Sequence, residues 1–567
     1  MFAKSSENDW LTLAALTLSI GWLLPNHNNP WTAFHSDAWV GIVLCFVSIV
    51  FLATRKVDVV HCTRLAALVL IALALPLIQY ALGLLPFFGN AWIAILFLAG
   101  FLLALLVGNY SQRLNPHQLG DFLFLSIGVA ALVSVGLQLY QWFGFTQSAP
   151  PDAIWVYPIE GSRPYANLAQ PNQLATLLLW GLLAGLWGRT RGYLRLPLLA
   201  IYSALIVLGL VLTQSRTAWL SMSLLTFAIW YWRELWTSRE IPWFVSLCAM
   251  LFVALSLSIE TIASLLLLDP QTDITDRIGG SSVRLAIWTM FANAAFSKPL
   301  FGYGWNQLRS AQLDFPFYNP GTYGISWAQS HNLFIDLVLW VGIPLGILFS
   351  VALLVWFWHR FRSVATPEQS IIWICVGAIG LHAMVEYPLH YAYFLLPTGL
   401  FMGMLDAASH SVPIMVTSRR VLASFLFLVS IGLALTINDY FRIESSHFAL
   451  QFEQGPLNKN SPKGTPDVIV LTQLRENLRM ARFDEQKPPS KDELHWMRTV
   501  TRSYPSVANL HKLAFVLAMN GDVEEAKFWL SRTCAIVPKE HCEIAQRAWD
   551  ERRNKHPDLA EIAWPTP

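Results

Sequence analysis

Charge is what this sequence has least of: Asp, Glu, Lys and Arg make up 13% of its 567 residues, about half the roughly 25% usual in soluble globular domains. The 38 basic and 36 acidic residues leave a net charge of +2, so there is no bulk electrostatic case for a nucleic-acid partner. Cysteine is also scarce. The six cysteines are scattered, four of them in apolar segments, and none forms a Cys-x-x-Cys or Cys/His zinc spacing. Walker and Rossmann glycine patterns are missing, so nothing supplies a nucleotide site. The first apolar stretch, from Trp10, is not followed by a small-residue cleavage signature. It reads as a retained first helix rather than a removable signal peptide.

What the sequence has instead is apolar length. Hydrophobic residues make up 55% of the chain and the mean hydropathy is +0.46. Apolar runs fall at 10–25, 38–53, 65–85, 91–108, 121–143, 168–187, 196–213, 217–232, 242–262, 332–358, 370–386, 389–406 and 420–437. A helix of about 20 residues crosses about 30 Å of hydrocarbon. The expected fold class is therefore all-α, a polytopic membrane helix bundle of about thirteen transmembrane helices.

Orientation follows from the basic residues of the short connections. Alternate connections carry Arg55, Lys56 and Arg64; Arg113; Arg189, Arg191 and Arg195; Arg233 and Arg239; Arg360 and Arg362; and Arg419 and Arg420. The opposite set, around Asn26 to Asp37, Gly83 to Asn90 and Pro388, carries none. The N-terminus is expected in the cytoplasm and, with an odd helix count, the C-terminus outside. Two long loops, 144–167 and 263–331, become external. Three arginines then break the pattern: Arg163, Arg216 and Arg284. A cation on the translocated side has an internal acidic partner, a snorkelling stem or a function.

From 438 to 567 the chain turns charged and helical in period. The expected domains are a transmembrane domain, 1–437, that includes the loop 263–331, and an external helical domain, 438–567. Trp496 and Trp529 stand 33 residues apart, each nine residues before a proline, Pro505 and Pro538. Leu513, Ala514, Leu517, Ala518, Gly521, Ala526 and Leu530 between them alternate large and small, as in tetratricopeptide-like repeats or in a plain helical hairpin. Cys534 and Cys542, if external, lie in an oxidising compartment where they can pair, which spacing alone does not decide.

Polar groups crowd four helix ends. The first stretch is Arg163-Pro-Tyr-Ala-Asn167-Leu-Ala-Gln170-Pro171-Asn172-Gln173, where an arginine and four amides lead into an apolar helix and offer donors to an anion or a sugar. The second is Thr213-Gln214-Ser215-Arg216-Thr217, a tight external turn. Gly279-Gly-Ser-Ser-Val-Arg284-Leu-Ala-Ile-Trp288 reads as a flexible entry to an amphipathic helix and is followed by Pro299-Leu-Phe-Gly302-Tyr-Gly304-Trp305. The last is Gln329-Ser330-His331-Asn332, at the end of the large loop.

In this order the stretches resemble the O-antigen ligase and O-oligosaccharyltransferase superfamily of bacterial inner membranes. Glu386-Tyr387-Pro388-Leu389-His390-Tyr391, with Phe394 to Pro397 and the appended tail, resembles its protein-glycosylating branch, the pilin glycosylation ligases. The resemblance is strongest over 160–400 and implies a GT-C-like bundle with its active site in the periplasm.

It further implies en bloc transfer of an oligosaccharide from undecaprenyl diphosphate to a Ser or Thr hydroxyl of a periplasmic or pilin protein, with inner-membrane lipids as surroundings. Arg216 and Arg284 match the family's essential external arginines and are expected on the donor diphosphate, which a guanidinium grips bidentately. Arg163 is a third candidate there, or orients the loop. His331 matches the family's external histidine and is the expected catalytic base, since an imidazole titrates near 6.5; a hydrogen bond to phosphate is the other role open to it. Gln170, Asn172, Gln173, Asn332 and Tyr387 orient glycan or acceptor, or else cap helices and pack. His382, Glu386 and His390 form a supporting polar cluster. With no acidic pair or Asp-x-Asp motif at an external helix start, neither metal nor other cofactor is expected. Ligation of O-antigen to lipid A core is the sibling alternative. A transporter of lipid-linked glycans is the rival from another class, without the internal symmetry such proteins show.

Overall fold

A computed structural model of the chain describes residues 2–54, 58–148, 155–159, 163–268, 281–316, 324–409, 413–453, 464–559 and 562–565. Arg55, Lys56, Gly279 and Gly280 lie outside the described residues. Regular structure in the described residues is helical apart from one ribbon, in which Val59–Cys62 pairs antiparallel with Met415–Ser418. Eight of the described helices are long and apolar enough to span a membrane: Phe34–Ala53, Arg64–Ala81, Phe88–Leu114, Gln118–Trp142, Leu196–Thr213, Glu240–Leu265, Ile343–Arg362 and Arg419–Glu453. Trp10–Trp22, Ala392–Ala408 and Val507–Met519 are shorter apolar helices. The protein is an all-α, multi-pass membrane protein.

Three helix ends depart from the hydropathy reading. The apolar run 332–358 is two helices, Leu333–Val341 and Ile343–Arg362, broken at Gly342. The break is a packing event: at Gly342, φ is +85°, and a Cβ there would collide with the Leu300 carbonyl. Only glycine adopts that backbone without strain. The run 168–187 begins with a single 3₁₀ turn, Ala166–Leu168, before the helix Pro171–Thr190. The last run continues far past residue 437 as one helix, Arg419–Glu453, so the expected boundary at 437/438 falls inside an unbroken element.

The chain divides into two compact units. The first comprises 1–71, 97–279 and 353–433. Its central helix is Pro171–Thr190, in which every residue from Gln173 to Gly188 is buried. A helix apolar on all sides belongs inside a bundle, and it packs against Gln118–Trp142, Leu196–Thr213, Arg216–Tyr231 and Pro367–Ala383. In the same unit the buried Asp406 pairs with Arg360 at 3.1 Å and accepts from Thr63 Oγ1 and from Trp356 Nε1 at 2.7 Å. A buried carboxylate persists only with such partners.

The second unit comprises 72–96, 280–352 and 434–567. Its soluble part is built from Lys491–Ser503, Val507–Met519, Val523–Ser531 and Lys539–Lys555. The first of these starts with a capping box, Ser490 with Glu493, which satisfies two orphan amides at the helix start. Leu513, Ala514, Leu517, Ala526 and Leu530, the small/large alternation seen in sequence, are fully buried and share one core with Met497, Trp529 and Trp549. Leu313, from the short helix Leu308–Asp314, joins that core, and Asp314 pairs with Arg502 at 2.9 Å. Cys534 and Cys542 form a disulfide with a Cα–Cα distance of 5.0 Å. The turn it holds accepts the Gly324 amide on the Cys534 and Val537 carbonyls, at 3.0 and 3.1 Å.

Candidate functional site

In the first unit the motif residues converge on the turn between the helices Leu196–Thr213 and Arg216–Tyr231. Gln214 takes a left-handed conformation, φ +46°. Ser215 then caps the second helix, its Oγ accepting from Thr217 N at 3.1 Å. That hydroxyl donates in turn to Asn172 Oδ1 at 2.6 Å, and Asn172 Nδ2 donates to Glu386 Oε1 at 3.2 Å. Arg163 reaches the same turn from the other side and donates from Nε to the Thr213 carbonyl at 3.0 Å. Arg216 is the first residue of its helix and is exposed, and among the described residues no ion pair engages it. A guanidinium there adds to the positive end of a 16-residue helix, an arrangement suited to an anion.

The other amides of this stretch are structural. Gln170 caps the helix Pro171–Thr190, its side chain accepting from Gln173 N at 2.7 Å, with Pro171 at the first helical position. Gln173 Oε1 accepts from Tyr393 OH at 2.6 Å, and Thr176 Oγ1 lies 2.8 Å from His382 Nδ1. Asn167 donates to the Leu23 and Trp155 carbonyls and accepts from Tyr157 N at 2.9 Å. Burial draws the neighbouring His27 imidazole down, and its Nε2 sits 2.6 Å from the Asn167 carbonyl. Tyr387 and Tyr391 stack with ring centroids 6.0 Å apart, Tyr391 lies 5.2 Å from Tyr393, and His390 packs edge-on to Tyr387 at 6.0 Å. Burial raises the Tyr387 phenol, and the Glu386 charge adds to it.

The second unit gathers Arg284, Trp288 and His331. Arg284 and Trp288 are one turn apart on the helix Ser281–Ser297 and share a face. Trp288 Nε1 donates to the Ser330 carbonyl at 3.0 Å, which brings that face beside His331. His331 is left-handed, φ +59°, with its ring edge-on to Trp327 at 5.1 Å. Its neighbours hold it there. Ser330 N donates to Asp336 Oδ1 at 2.8 Å, Ser330 Oγ donates to the Asn332 carbonyl at 2.9 Å, and Asn332 caps the helix Leu333–Val341 by accepting from Phe334 N and Ile335 N at 3.0 and 3.3 Å. An open groove of about 620 Å³ runs beside the helix Ser281–Ser297, lined in part by Thr289, Asn293, Asp314 and Phe315. Among the described residues no group of three His, Cys, Asp or Glu side chains is placed to hold a metal ion.

Backbone strain marks the same stretches. Non-glycine residues with positive φ are Ala166, Ala169, Gln214, Leu267, Asn306 and His331 among those described. All but Leu267 fall in or directly beside the segments that stood out by composition. Left-handed backbone at a non-glycine residue costs about 1–2 kcal/mol, and such strain concentrates at functional sites. Sequence reasoning passed over three residues whose side chains hold backbone amides: Gln141, whose Oε1 accepts from Tyr165 N and Ala166 N at 3.0 and 2.7 Å; Asp37, whose Oδ1 accepts from Ala392 N at 2.6 Å; and Asp336, whose Oδ1 accepts from Ser330 N at 2.8 Å. Asp37 and Asp336 carried a readable signal, being carboxylates in otherwise apolar helices.

Comparison with known proteins agrees with these motifs. Residues 201–350 match the O-antigen ligase family, 164–187 the protein glycosylation ligase family, and 370–551 the C-terminal family of virulence factor membrane-bound polymerases. The chain is 30% identical over 548 residues to a general O-oligosaccharyltransferase of Acinetobacter baylyi, covering 91% of this chain and 90% of that protein. It is 29% identical over 362 residues to a ComP-specific O-oligosaccharyltransferase of the same organism, covering 62% and 63% of the two chains.

Proposed function

This chain belongs to the O-oligosaccharyltransferases of the O-antigen ligase superfamily, and from that premise we propose that its protein O-glycosylation uses undecaprenyl-diphosphate-linked oligosaccharide and Ser or Thr hydroxyls of periplasmic proteins, pilins among them. The observation that carries the reading is the Trp288–Ser330 bond, which sets His331 beside the face bearing Arg284. The acceptor oxygen attacks the anomeric carbon while its proton passes to the His331 imidazole. The bond from that carbon to the diphosphate oxygen breaks with its electron pair, and undecaprenyl diphosphate departs. Arg284 stabilises the departing charge, commonly the largest contribution of such a site, and Arg216 is kept as a diphosphate ligand on the family resemblance alone. Arg163 positions the Arg216 turn through the Thr213 carbonyl.

Asn172 acts through Ser215 and Glu386 rather than on sugar, and Gln170 and Asn332 act as helix caps. Gln173 holds Tyr393, and the protonated Tyr387 is the donor offered to glycan or acceptor. The groove lined by Thr289, Asn293, Asp314 and Phe315 suits an acceptor segment. The protein sits in the inner membrane with about thirteen spans, its N-terminus cytoplasmic. The site and the tail 438–567 face the periplasm, a placement supported by the Cys534–Cys542 disulfide, since disulfides persist in oxidising compartments.

The test is transfer in vitro from undecaprenyl-diphosphate oligosaccharide to a Ser/Thr acceptor protein by purified wild type, His331→Ala and Arg284→Ala. Glycosylated acceptor from wild type alone is expected. Transfer to lipid A core in place of protein refutes the acceptor assignment. An active His331→Ala refutes the base.

A further inference from the structure

The helix Ser281–Ser297 leads into an exposed apolar patch at its C-terminal end. Ile287, Phe291, Ala294 and Ala295 are buried, whereas Phe296 is 74% exposed. Leu300 and Phe301, just beyond the helix end, are 65% and 63% exposed. Three large apolar side chains within six residues form an exposed patch of the kind that marks an interaction surface.

The backbone around this patch defines its surroundings. The Pro299 carbonyl accepts from Ile343 N at 2.7 Å, and Tyr303 N donates to the Leu339 carbonyl at 2.7 Å. Gly302 fits there because a Cβ would collide with the Leu339 carbonyl. Ile343 is the first residue of the helix Ile343–Arg362, which is long and apolar enough to span and has only 17% of its apolar window buried. Its Ile347, Leu348 and Val351 are each half exposed, the state of side chains that face lipid. The segment 299–303 is thus hydrogen-bonded to the point where a spanning helix begins. Lys298 beside it lays its ammonium 4.1 Å from the Tyr303 ring centre, an amphipathic side chain at the boundary between apolar surface and water.

We infer that Phe296, Leu300 and Phe301 form a wedge that inserts among the lipid acyl chains of the leaflet where Ile343–Arg362 begins. The partner is a lipid surface. Interfacial elements bury their apolar side chains about 5–10 Å into the headgroup and acyl boundary, and Lys298 meets the anionic headgroups there. The wedge seats the Arg284-bearing helix on the bilayer, whatever group the enzyme transfers.

The chain suits cysteine labelling, since Cys45, Cys62, Cys248 and Cys375 are buried and Cys534 is bonded to Cys542. Phe296→Cys, Leu300→Cys and Phe301→Cys, with Glu524→Cys as a water-exposed control, would each carry an environment-sensitive fluorophore. The full-length protein would be reconstituted in vesicles of phosphatidylethanolamine and phosphatidylglycerol. The expected result is several-fold stronger quenching by lipids with a nitroxide near the headgroup than by aqueous iodide at the three wedge positions, and the reverse at 524. Iodide quenching at the wedge would overturn the inference by placing it in water. Protection from both quenchers would overturn it too, by showing a protein contact there.

Discussion

Trp288→Phe is the sharpest test of the site, because it keeps an aromatic ring and removes one hydrogen bond. The indole N–H donates to the Ser330 carbonyl at 3.0 Å, and Ser330 is fully buried. The carbonyl would lose its partner in a place water reaches poorly, a loss of about 1–3 kcal/mol. That matches the roughly 1–2 kcal/mol of strain stored in a left-handed non-glycine residue, here His331 at φ +59°. The bonds from Asp336 and Asn332 still favour the strained form, so the histidine is loosened rather than released. If the barrier absorbs the whole loss, kcat/KM falls about 5- to 140-fold, at ~1.4 kcal/mol per decade. Initial rates of oligosaccharide transfer measure this. The expected outcome is a kcat/KM reduced within that range but above that of His331→Ala. Wild-type kcat/KM in Trp288→Phe would refute the claim that this bond positions the histidine.

Three further outcomes follow from the geometry. Asn172→Ala removes the acceptor of Ser215 Oγ and a donor to the buried Glu386, so transfer should drop at least about tenfold from two hydrogen bonds worth about 1–3 kcal/mol each; unchanged transfer would release Asn172 from the Arg216 turn. His511 is 7% exposed between Trp549 and Trp564, and burial, then the Arg552 charge, pulls its pKa down to about 4. Because the unfolded chain takes up the proton near 6.5 and the folded chain resists it, this stabilisation is present above pH 6.5 and is lost as pH falls towards 4, by about 3 kcal/mol. Hydrogen exchange of peptides from 507–556 in the full-length protein should therefore quicken over that window, and less so in His511→Phe. Gly302→Ala meets both a φ of +68° and the Leu339 carbonyl, so it should lower thermal stability in detergent by more than about 2 kcal/mol, while Gly464→Ala, with nothing near its Cβ position, should leave it unchanged.

The parts of this protein legible in sequence are those governed by local chemistry. Apolar runs near bilayer length, Pro171 after Gln170, and Asn332 ahead of Leu333 each specify an element or its start through short-range hydrogen bonding and solvent transfer. The small/large alternation from Leu513 to Leu530 likewise announced one shared core. What did not show was where a polar group spends its hydrogen bonds. Arg163 reads as a diphosphate candidate or a residue that orients the loop, and its Nε is used by a carbonyl 50 residues away. Asn172 reads as a residue that orients glycan or acceptor or else caps a helix, and its side chain joins Ser215 to Glu386, 214 residues further on.

Sequence alone therefore determined the class of molecule, a helical membrane protein with its motifs at helix ends, because insertion and capping depend on neighbours in the chain. Tertiary structure alone decided that Gly342 divides one apolar run, that Asp37 caps a helix from across the bundle, and that Trp288 sets Arg284's helix against His331. Those outcomes depend on pairs far apart in sequence, whose contact becomes favourable only once the intervening helices have packed and water has been displaced from between them.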